Sequence, residues 1–310
     1  MNSNFANVRD KRLEYRITNQ KLGQGAFSKV FVAIHLQTNT KVAMKIVQLR
    51  NIQRREEFNL SMNEVTMLKK IDSPHVLKLH DSFVTNNILY LATEFIDGVD
   101  LGVRIQIMRN RGILFSERSI WYKFHQICAG LKALHEKRIL HRDTYVYVQN
   151  ILDLKPSNIF ITTKYQVKIG DLGLSHHFED GTSTEDSFIG TVYYMSPERM
   201  NREEYSFPAD IWSLGCLLYE ICTFQSPFSG ERKNLYSLKN KINNADIIPI
   251  PMNVFSEQLV YFTFACLNIE SDERPTADAC HDAARAMYEK FEQILADNKK
   301  SPATTCLNIL

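Results

Sequence analysis

The sequence lacks the features of a secreted, membrane-spanning or disulfide-stabilised protein. Its first residues, MNSNFANVRD, contain no apolar stretch typical of a secretory signal. No run approaches the roughly 18 apolar residues that a membrane helix needs. None of the six cysteines forms a CxxC pair, and several lie in apolar helical patterns such as SLGCLLYEIC. We therefore expect a cytoplasmic protein with buried free thiols, and neither a disulfide framework nor a zinc site.

The chain also lacks a strong charge of either sign, internal repeats and heptad segments. A net charge of +2 over 310 residues gives no electrostatic case for a nucleic-acid or membrane partner. The apolar share of 44% is ordinary for a globular protein. A chain of this length is long enough for one large domain or two lobes.

The pattern of apolar residues divides the chain into a β-rich part and a helical part. Alternating and β-branched stretches between Tyr15 and Leu91 predict strands. One helix interrupts them where apolar residues recur at spacings of four and three: Phe58, Met62, Val65 and Leu68. After Asp100, the same spacing predicts a helix with Ser116 as its N-cap, and further helices over 209–223, 255–267 and 276–296.

Two short segments of the β-rich part suggest phosphate binding. In LGQGAFSKV, Gly23 and Gly25 allow the backbone to approach a phosphate closely, although Ser28 stands where a third glycine would be. The strand–turn–strand setting argues against a dinucleotide fold, and a plain hairpin is the alternative. In VAMK, Lys45 lies in an apolar strand, and Glu64 on the following helix is placed to pair with it.

A third segment suggests a metal site. GDLGL places Asp171 after the predicted strand YQVKI, and Asn158 in KPSN offers a neutral oxygen. Mg²⁺ prefers such oxygen ligands together with substrate phosphates. Two metal ligands, a lysine and a glycine turn together form a set suited to phosphoryl transfer.

These motifs, in this order, resemble a eukaryotic protein kinase over roughly residues 15–290. The resemblance rests on GQGAFSKV, VAMK, Glu64, DLKPSN, DLG, SPE, DIWSLG and ERP. SFIGTVYYMSPERM and DIWSLGCLLYEICTFQSPF are similar to the NIMA-related (Nek) kinases, nearest that family's short members. The resemblance implies an α+β, bilobal fold with a small antiparallel β-rich lobe that carries one helix and a larger, mainly helical lobe.

The resemblance also implies domain limits and site residues. We expect an N-terminal extension over 1–14, a kinase domain over 15–290 and a tail over 291–310. Within the domain, the small lobe covers about 15–93, the hinge 94–97 and the large lobe 98–290. ATP would contact Leu22, Gly23, Gly25, Val30, Ala43, Lys45, Glu64, Thr93, Glu94, Ile96 and Asp100, while Asn158 and Asp171 would hold Mg²⁺. Glu198 and Arg274 resemble a structural ion pair of the large lobe, and Asp210 resembles an aspartate that braces the catalytic loop.

Further matching positions concern specificity and regulation. Lys155 and Thr191 resemble residues of serine/threonine kinases, although Val192 replaces the proline that usually follows the threonine. Ser187 matches the family's activation-loop phosphosite, and we hypothesise that its phosphate pairs with Arg142. The resemblance implies protein substrates, an activating kinase or autophosphorylation at Ser187, and roles around microtubules, centrosomes, cilia or cell division.

The catalytic loop is interrupted. HRDTYVYVQNILDLKPSN, residues 141–158, becomes HRDLKPSN when residues 144–153 are removed. Asn158 lies five residues after Asp153 and Lys155 two residues after it, whereas Val148 and Tyr145 occupy the same offsets from Asp143. Asp153 therefore keeps the spacing of a kinase catalytic loop, in which the asparagine that holds the metal follows the catalytic aspartate by five residues. We assign Asp153 the role of catalytic base.

Three alternatives to this assignment stay open. Asp143 could occupy the base position, with the ten residues looping out after it. The ten residues could also be encoded by an intervening segment of the gene that was not removed when the protein sequence was derived from it. The insertion could also leave a pseudokinase that binds ATP as a scaffold without transferring phosphate.

Overall fold

The N-terminal part of the chain folds into a twisted antiparallel sheet. The computed structural model describes residues 10–24, 28–49, 65, 69–139, 154–170, 192–203, 206–230 and 234–300. The strands of this sheet are β1 (Tyr15–Gln24), β2 (Ser28–His35), β3 (Thr40–Gln48), β4 (Leu79–Thr85) and β5 (Ile88–Glu94). Their order is β1-β2-β3-β5-β4, and every neighbouring pair is antiparallel.

Asparagines close the tight turns of this sheet. Asn86 and Asn87, between β4 and β5, have φ values of 52° and 59°. Both lie in the left-handed region, which a two-residue hairpin turn requires and which asparagine tolerates. The side chain of Asn87 also donates a hydrogen bond to the carbonyl oxygen of Leu49, at 2.6 Å. The turn thereby holds the end of β3 next to β5.

One face of the sheet carries its own apolar cluster. Val42, Met44 and Ala92 are almost completely buried there. Phe83 stacks on Tyr90 with ring centroids 5.0 Å apart, and Tyr15 stacks on Phe83 at 6.0 Å. Aromatic and aliphatic side chains thus cover this face, which leaves the opposite face for the interlobe cleft.

A second, smaller sheet begins the C-terminal part. It consists of β6 (Gly98–Asp100), β7 (Ile159–Thr162) and β8 (Val167–Ile169), joined antiparallel in that order. Residues 95–97, within the predicted hinge, connect β5 to β6. The amide of Leu77 donates to the carbonyl oxygen of Ile169 at 2.7 Å, and the amide of Ile169 donates to that of His75 at 2.9 Å. The segment before β4 is therefore tied directly to β8.

The remaining elements are mainly helical. The α-helices are α1 (Leu101–Arg111), α2 (Glu117–Ile139), α3 (Pro197–Met200), α4 (Phe207–Thr223), α5 (Leu235–Asn243), α6 (Glu257–Cys266) and α7 (Ala277–Lys300). Single 3₁₀ turns cover Lys11–Glu14, Pro156–Asn158 and Ser271–Glu273. Helix α4 lies at the centre: nearly all of its residues from Ala209 to Cys222 are buried. It packs in the main core with apolar residues of α2, including Ile120, Phe124 and Ile127.

The expected fold class is confirmed: a β-rich antiparallel part precedes a mainly helical part. The predicted helices over 209–223, 255–267 and 276–296 are present with shifted ends. Most of the helix predicted around Phe58 to Leu68 lies outside the described residues, but Val65 is helical and fully buried. Among the described residues, no helix has the length and apolar character needed to cross a membrane.

The last helix, α7, ends at Lys300, four residues beyond the end predicted at residue 296. The middle of α7 is held by packing, because Met287, Tyr288 and Phe291 contact the main core. An ion pair also joins Arg118 Nε on α2 to Glu292 Oε1, at 2.6 Å.

The cysteines behave as the sequence predicts. Cys128, Cys216, Cys222, Cys266 and Cys280 are free thiols and are buried. Burial raises the pKa of Cys222, and the charge of Glu117 adds to the shift. A buried neutral thiol packs as a small apolar group and is chemically inert. Cys306 lies outside the described residues.

The ion pair between Glu198 and Arg274 is present, with Arg274 buried and Glu198 half-buried. Arg274 Nη1 and Nη2 donate to the two carboxylate oxygens of Glu198 at 2.8 and 2.9 Å. The same guanidinium donates to the carbonyl oxygens of Pro208, Asn268 and Ile269. Burial alone would raise the pKa of Glu198, but the hydrogen bonds from Arg274 lower it overall. The pair's contribution to stability is thus present above the ordinary pKa of glutamate and is lost as the pH falls through the lowered value.

We expect Arg274→Leu to lower the free energy of unfolding by about 3–5 kcal/mol, since it leaves a partly buried carboxylate without its partner. Arg285→Leu is the matched control: Arg285 pairs with Glu289 on the surface of α7 at 3.2 Å. That change should cost less than about 1 kcal/mol. Urea unfolding followed by circular dichroism measures both, and equal losses would contradict the structural role of Arg274.

Candidate active site

The strand register brings several predicted ATP-binding residues to one face of the large sheet. Gly23 is paired with Val30, Val30 with Lys45, and Ala43 with Thr93. Directly paired residues of antiparallel strands project to the same face, and so do residues two apart, such as Ala43 and Lys45. The five positions therefore share the face opposite the apolar cluster formed around Met44.

This face is only partly covered by the protein. Val30, Ala43, Lys45 and Thr93 are half-buried, whereas the intervening Met44 is fully buried on the other side. Among the described residues other than Gly23 and its two chain neighbours, no atom lies within 4 Å of the place where a Cβ of Gly23 would be. The backbone of β1 is thus open to the approach of a ligand at Gly23, as a phosphate-covering turn requires. Leu22, beside it, is 44% exposed.

The predicted hinge residue Glu94 has a structural role that the sequence analysis missed. Its Oε1 accepts hydrogen bonds from the backbone amide of Lys78 at 2.8 Å and from Lys168 Nζ at 2.9 Å. Its own amide donates to the carbonyl oxygen of Lys78 at 2.9 Å. The carboxylate therefore fastens the start of the hinge to the segment before β4 and to β8.

Lys168 could have been found from the sequence. In YQVKI it is a lysine inside a short apolar strand, the same pattern that singled out Lys45 in VAMK. The residue is 9% exposed, and a buried ammonium group needs a carboxylate partner. Its partner, Glu94, lies 74 residues away in the chain, so local sequence reasoning gave no reason to connect them.

Asp100, where a ribose-binding residue is expected, caps helix α1. Its Oδ1 accepts a hydrogen bond from the backbone amide of Val103 at 2.9 Å. This is the usual capping bond at a helix N-terminus, and it fixes the carboxylate at the end of β6. Ile96, which lies between Glu94 and Asp100 in the predicted hinge, is half-buried.

The second half of the interrupted loop is built firmly into the fold. Leu154 is 1% exposed, and Pro156 and Asn158 are also buried. The amide of Asn158 donates to the carbonyl oxygen of Lys155 at 2.9 Å, which closes the 3₁₀ turn. The amide of Gly170 donates to the carbonyl oxygen of Asn158 at 2.8 Å. Lys155 and Asn158 are thus held in a fixed spacing next to the end of β8.

Gly170 cannot carry a side chain in this arrangement. A Cβ at this position would lie 2.4 Å from a ring carbon of Phe160, on the neighbouring strand β7. The close approach of the Phe160 ring therefore requires glycine directly before Asp171. Of the predicted strand YQVKI, residues 167–169 are confirmed as β8, and Gly170 follows its end.

The remaining predicted site residues lie outside the described part of the chain. They are Gly25, Glu64, Arg142, Asp143, Asp153, Asp171, Ser187 and Thr191. Their neighbours in the sequence are anchored. Val192 is 2% exposed, and Ser213 Oγ on α4 donates to the carbonyl oxygen of Tyr194 at 2.8 Å. Asp210 Oδ2 lies 2.8 Å from His135 Nε2 on α2, which joins α4 to the helix that leads into the interrupted loop.

Comparison of the sequence with known protein families identifies the family of the chain. The family model described as "Protein kinase domain" matches residues 16–284. Because this match covers more than half of the chain, the chain belongs to the protein kinase family.

Curated relatives narrow the resemblance. The chain is 36% identical over 259 residues to human "Serine/threonine-protein kinase Nek5", which covers 83% of this chain and 34% of that protein. It is 33% identical over 257 residues to mouse "Serine/threonine-protein kinase Nek3", covering 83% and 46%. It is 31% identical to the "Probable serine/threonine-protein kinase nek3" of Dictyostelium discoideum, covering 83% and 22%. These matches confirm the resemblance to the NIMA-related kinases, and the chain spans less than half the length of each relative.

We expect Lys168→Met to lower the free energy of unfolding by about 1–3 kcal/mol, since the partly buried Glu94 carboxylate loses its cation. The control is Lys78→Met, which keeps the backbone amide that binds Glu94 and removes only an exposed ammonium group 3.6 Å from Asp72. The control should change stability by less than about 0.5 kcal/mol. Thermal unfolding of both variants measures the difference, and an unchanged Lys168→Met variant would show that the bridge contributes nothing.

Proposed function

We propose that the chain is a serine/threonine protein kinase that transfers the γ-phosphoryl group of Mg-ATP to protein hydroxyls. The observation that carries the proposal is the sheet face shared by Gly23, Val30, Ala43, Lys45 and Thr93. It combines a backbone open to a phosphate, small and apolar side chains suited to a purine base, and a cation. Membership of the protein kinase family supports the same activity.

Each side of the site would hold a different part of the nucleotide. Gly23 and Gly25 would cover the phosphates, and Lys45, paired with Glu64, would hold them in place. Leu22, Val30 and Ala43 would enclose the adenine, and the backbone of the hinge would bind its edge. Bound Mg²⁺ would neutralise the phosphate charge. Asn158 and Asp171 would hold the ion, since both side chains offer oxygen ligands.

Asp153 is the proposed base, and it would orient the acceptor hydroxyl and accept its proton. Two residues later, Lys155 would stabilise the negative charge on the transferring group. The anchoring of Leu154, Lys155 and Asn158 supports this assignment. Asp153 directly precedes Leu154 in the sequence and would therefore lie close to the proposed metal ligand Asn158. Asp143 is separated from the same anchor by the ten residues 144–153.

Substrates and location follow from the same proposal. The kinase would act on serine and threonine in proteins, with activation by another kinase or by autophosphorylation. A cytoplasmic site of action, associated with the cytoskeleton or centrosome, is the location we propose from the resemblance to the NIMA-related kinases.

The activity is tested by incubating the full-length chain with Mg-ATP and a generic protein substrate, with Asp171→Asn as the blank. We expect phosphoserine and phosphothreonine above the blank. Asp153→Asn should lower the rate by about 10²–10⁴-fold, as loss of a general base does, while Asp143→Asn should change it little.

The outcomes of this assay separate the alternatives. ATP binding without transfer would identify a pseudokinase. Phosphotyrosine as the product would contradict the assignment drawn from Lys155 and Thr191. A large loss in Asp143→Asn together with an active Asp153→Asn would reverse the assignment of the base.

A second prediction concerns activation. We expect Ser187→Ala to lower the activity of the phosphorylated enzyme about tenfold, because the phosphate can no longer form charge-assisted hydrogen bonds with Arg142. Ser183→Ala, in the same polar segment EDGTSTEDS, is the matched control and should leave the activity unchanged. Undiminished activity in Ser187→Ala would rule out the switch.

A further inference from the structure

A groove with a volume of about 890 Å³ lies on the large lobe. It is bounded by α1, the start of α2, the turn between β7 and β8, residues 254–255 and Tyr288 of α7. We call it the basic groove and define it by Arg104, Arg111, Phe115, Lys123, Lys164 and Tyr165. None of its lining residues belongs to the candidate active site, so it needs a separate explanation.

The described residues form no ion pairs that balance the charge of the basic groove. Arg104, Arg111, Lys123 and Lys164 line it, and the structure shows no ion pair between any of them and a described residue. A fifth cation, Arg118, is paired with Glu292.

The lining contains one carboxylate, that of Glu117, and its oxygens are already occupied. They accept hydrogen bonds from Trp121 Nε1 at 3.0 Å, from the Ser256 amide at 2.8 Å and from Ser256 Oγ at 2.6 Å. Glu117 therefore fastens α2 to the start of α6 and does not pair with the groove's cations. The groove carries an excess of positive charge.

Lys123 is held in a position that favours an anionic neighbour. Its ammonium group donates to the carbonyl oxygen of Ser119 at 3.0 Å and lies 4.9 Å from the ring centroid of Phe115. Burial, together with the charge of Arg104, lowers the pKa of Lys123 to about 8. Both effects disfavour the charged form, and a negative group bound nearby would offset them.

The walls of the basic groove are apolar and exposed. Ile113 is 56% exposed, Tyr165 59%, Val254 49% and Leu114 39%. Exposed apolar side chains beside these cations form a surface suited to binding a partner. The apolar side chains would be buried on binding, and the charges would select the partner.

We propose that the basic groove docks an acidic segment of a partner protein, one that carries bulky apolar side chains between its carboxylates. Charge complementarity and the apolar walls both favour this occupant. The chain's own last residues, SPATTCLNIL, contain no acidic side chain and do not match it. The proposal goes beyond the kinase activity, because docking at this surface requires no phosphoryl transfer.

The test uses the full-length chain and a fluorescein-labelled peptide of alternating glutamate and leucine, followed by fluorescence anisotropy. We expect binding that weakens as salt is added. The double variant Arg104→Ser with Lys164→Ser should weaken it about tenfold, the effect of losing two partly exposed charge pairs. The double variant Lys239→Ser with Lys290→Ser removes the same charge at positions that do not line the groove and should bind like the wild type.

Several results would overturn the proposal. One is a peptide with glutamine in place of every glutamate that binds equally well. Others are no measurable binding of the acidic peptide, or equal losses in the two double variants. Tighter, groove-dependent binding of a single-stranded oligonucleotide would assign the surface to a different polyanion. Thermal unfolding midpoints of the variants, matched to the wild type, show that each difference arises from binding and not from misfolding.

Discussion

Two backbone hydrogen bonds at Asn158 fix the segments that carry the proposed catalytic residues Lys155 and Asn158. One closes the turn from Lys155 to Asn158, and the other joins Asn158 to Gly170. The first fixes the distance between the residue proposed to stabilise the transferring charge and a proposed metal ligand. The second joins this turn to Gly170, the residue that precedes the proposed metal ligand Asp171 in the sequence. The relative positions of Lys155 and Asn158 therefore depend on hydrogen bonds between main-chain atoms. Side-chain contacts alone would not fix them.

The strand β8 connects this region to the segment before β4 and to the hinge. Its last residue, Ile169, exchanges hydrogen bonds with the segment before β4, and Lys168 bonds to Glu94 at the start of the hinge. Lys168, Ile169 and the following Gly170 thus contact the hinge, the segment before β4 and the turn from Lys155 to Asn158. These contacts lie on three consecutive residues, which ties the hinge to the turn that carries the proposed metal ligand Asn158.

Sequence reasoning predicted the parts of the structure that depend on local pattern. Alternation and helical spacing predicted the two-part architecture, and ordered motifs predicted the residues that the strand register brings to one face. It missed contacts between residues far apart in the chain. The bond between Lys168 and Glu94 and the basic groove both arise from packing of distant elements, which no local pattern specifies. Asp100 shows a further limit of sequence reasoning. An aspartate at a helix N-terminus forms a capping bond such as that to Val103 in many folds, so the bond does not identify a ribose-binding residue.

The central claim is that the anchored half of the loop defines the catalytic register, whichever aspartate precedes it. Deleting residues 144–153 joins Asp143 directly to Leu154 and places it in the position that Asp153 occupies in the full-length chain. The decisive measurement is the rate of Mg-ATP-dependent phosphate transfer when Asp143→Asn is introduced into both chains. The account predicts that this change is tolerated in the full-length chain and abolishes activity in the shortened one. Loss of activity in both chains would contradict it, because Asp143 would then act as the base despite the insertion.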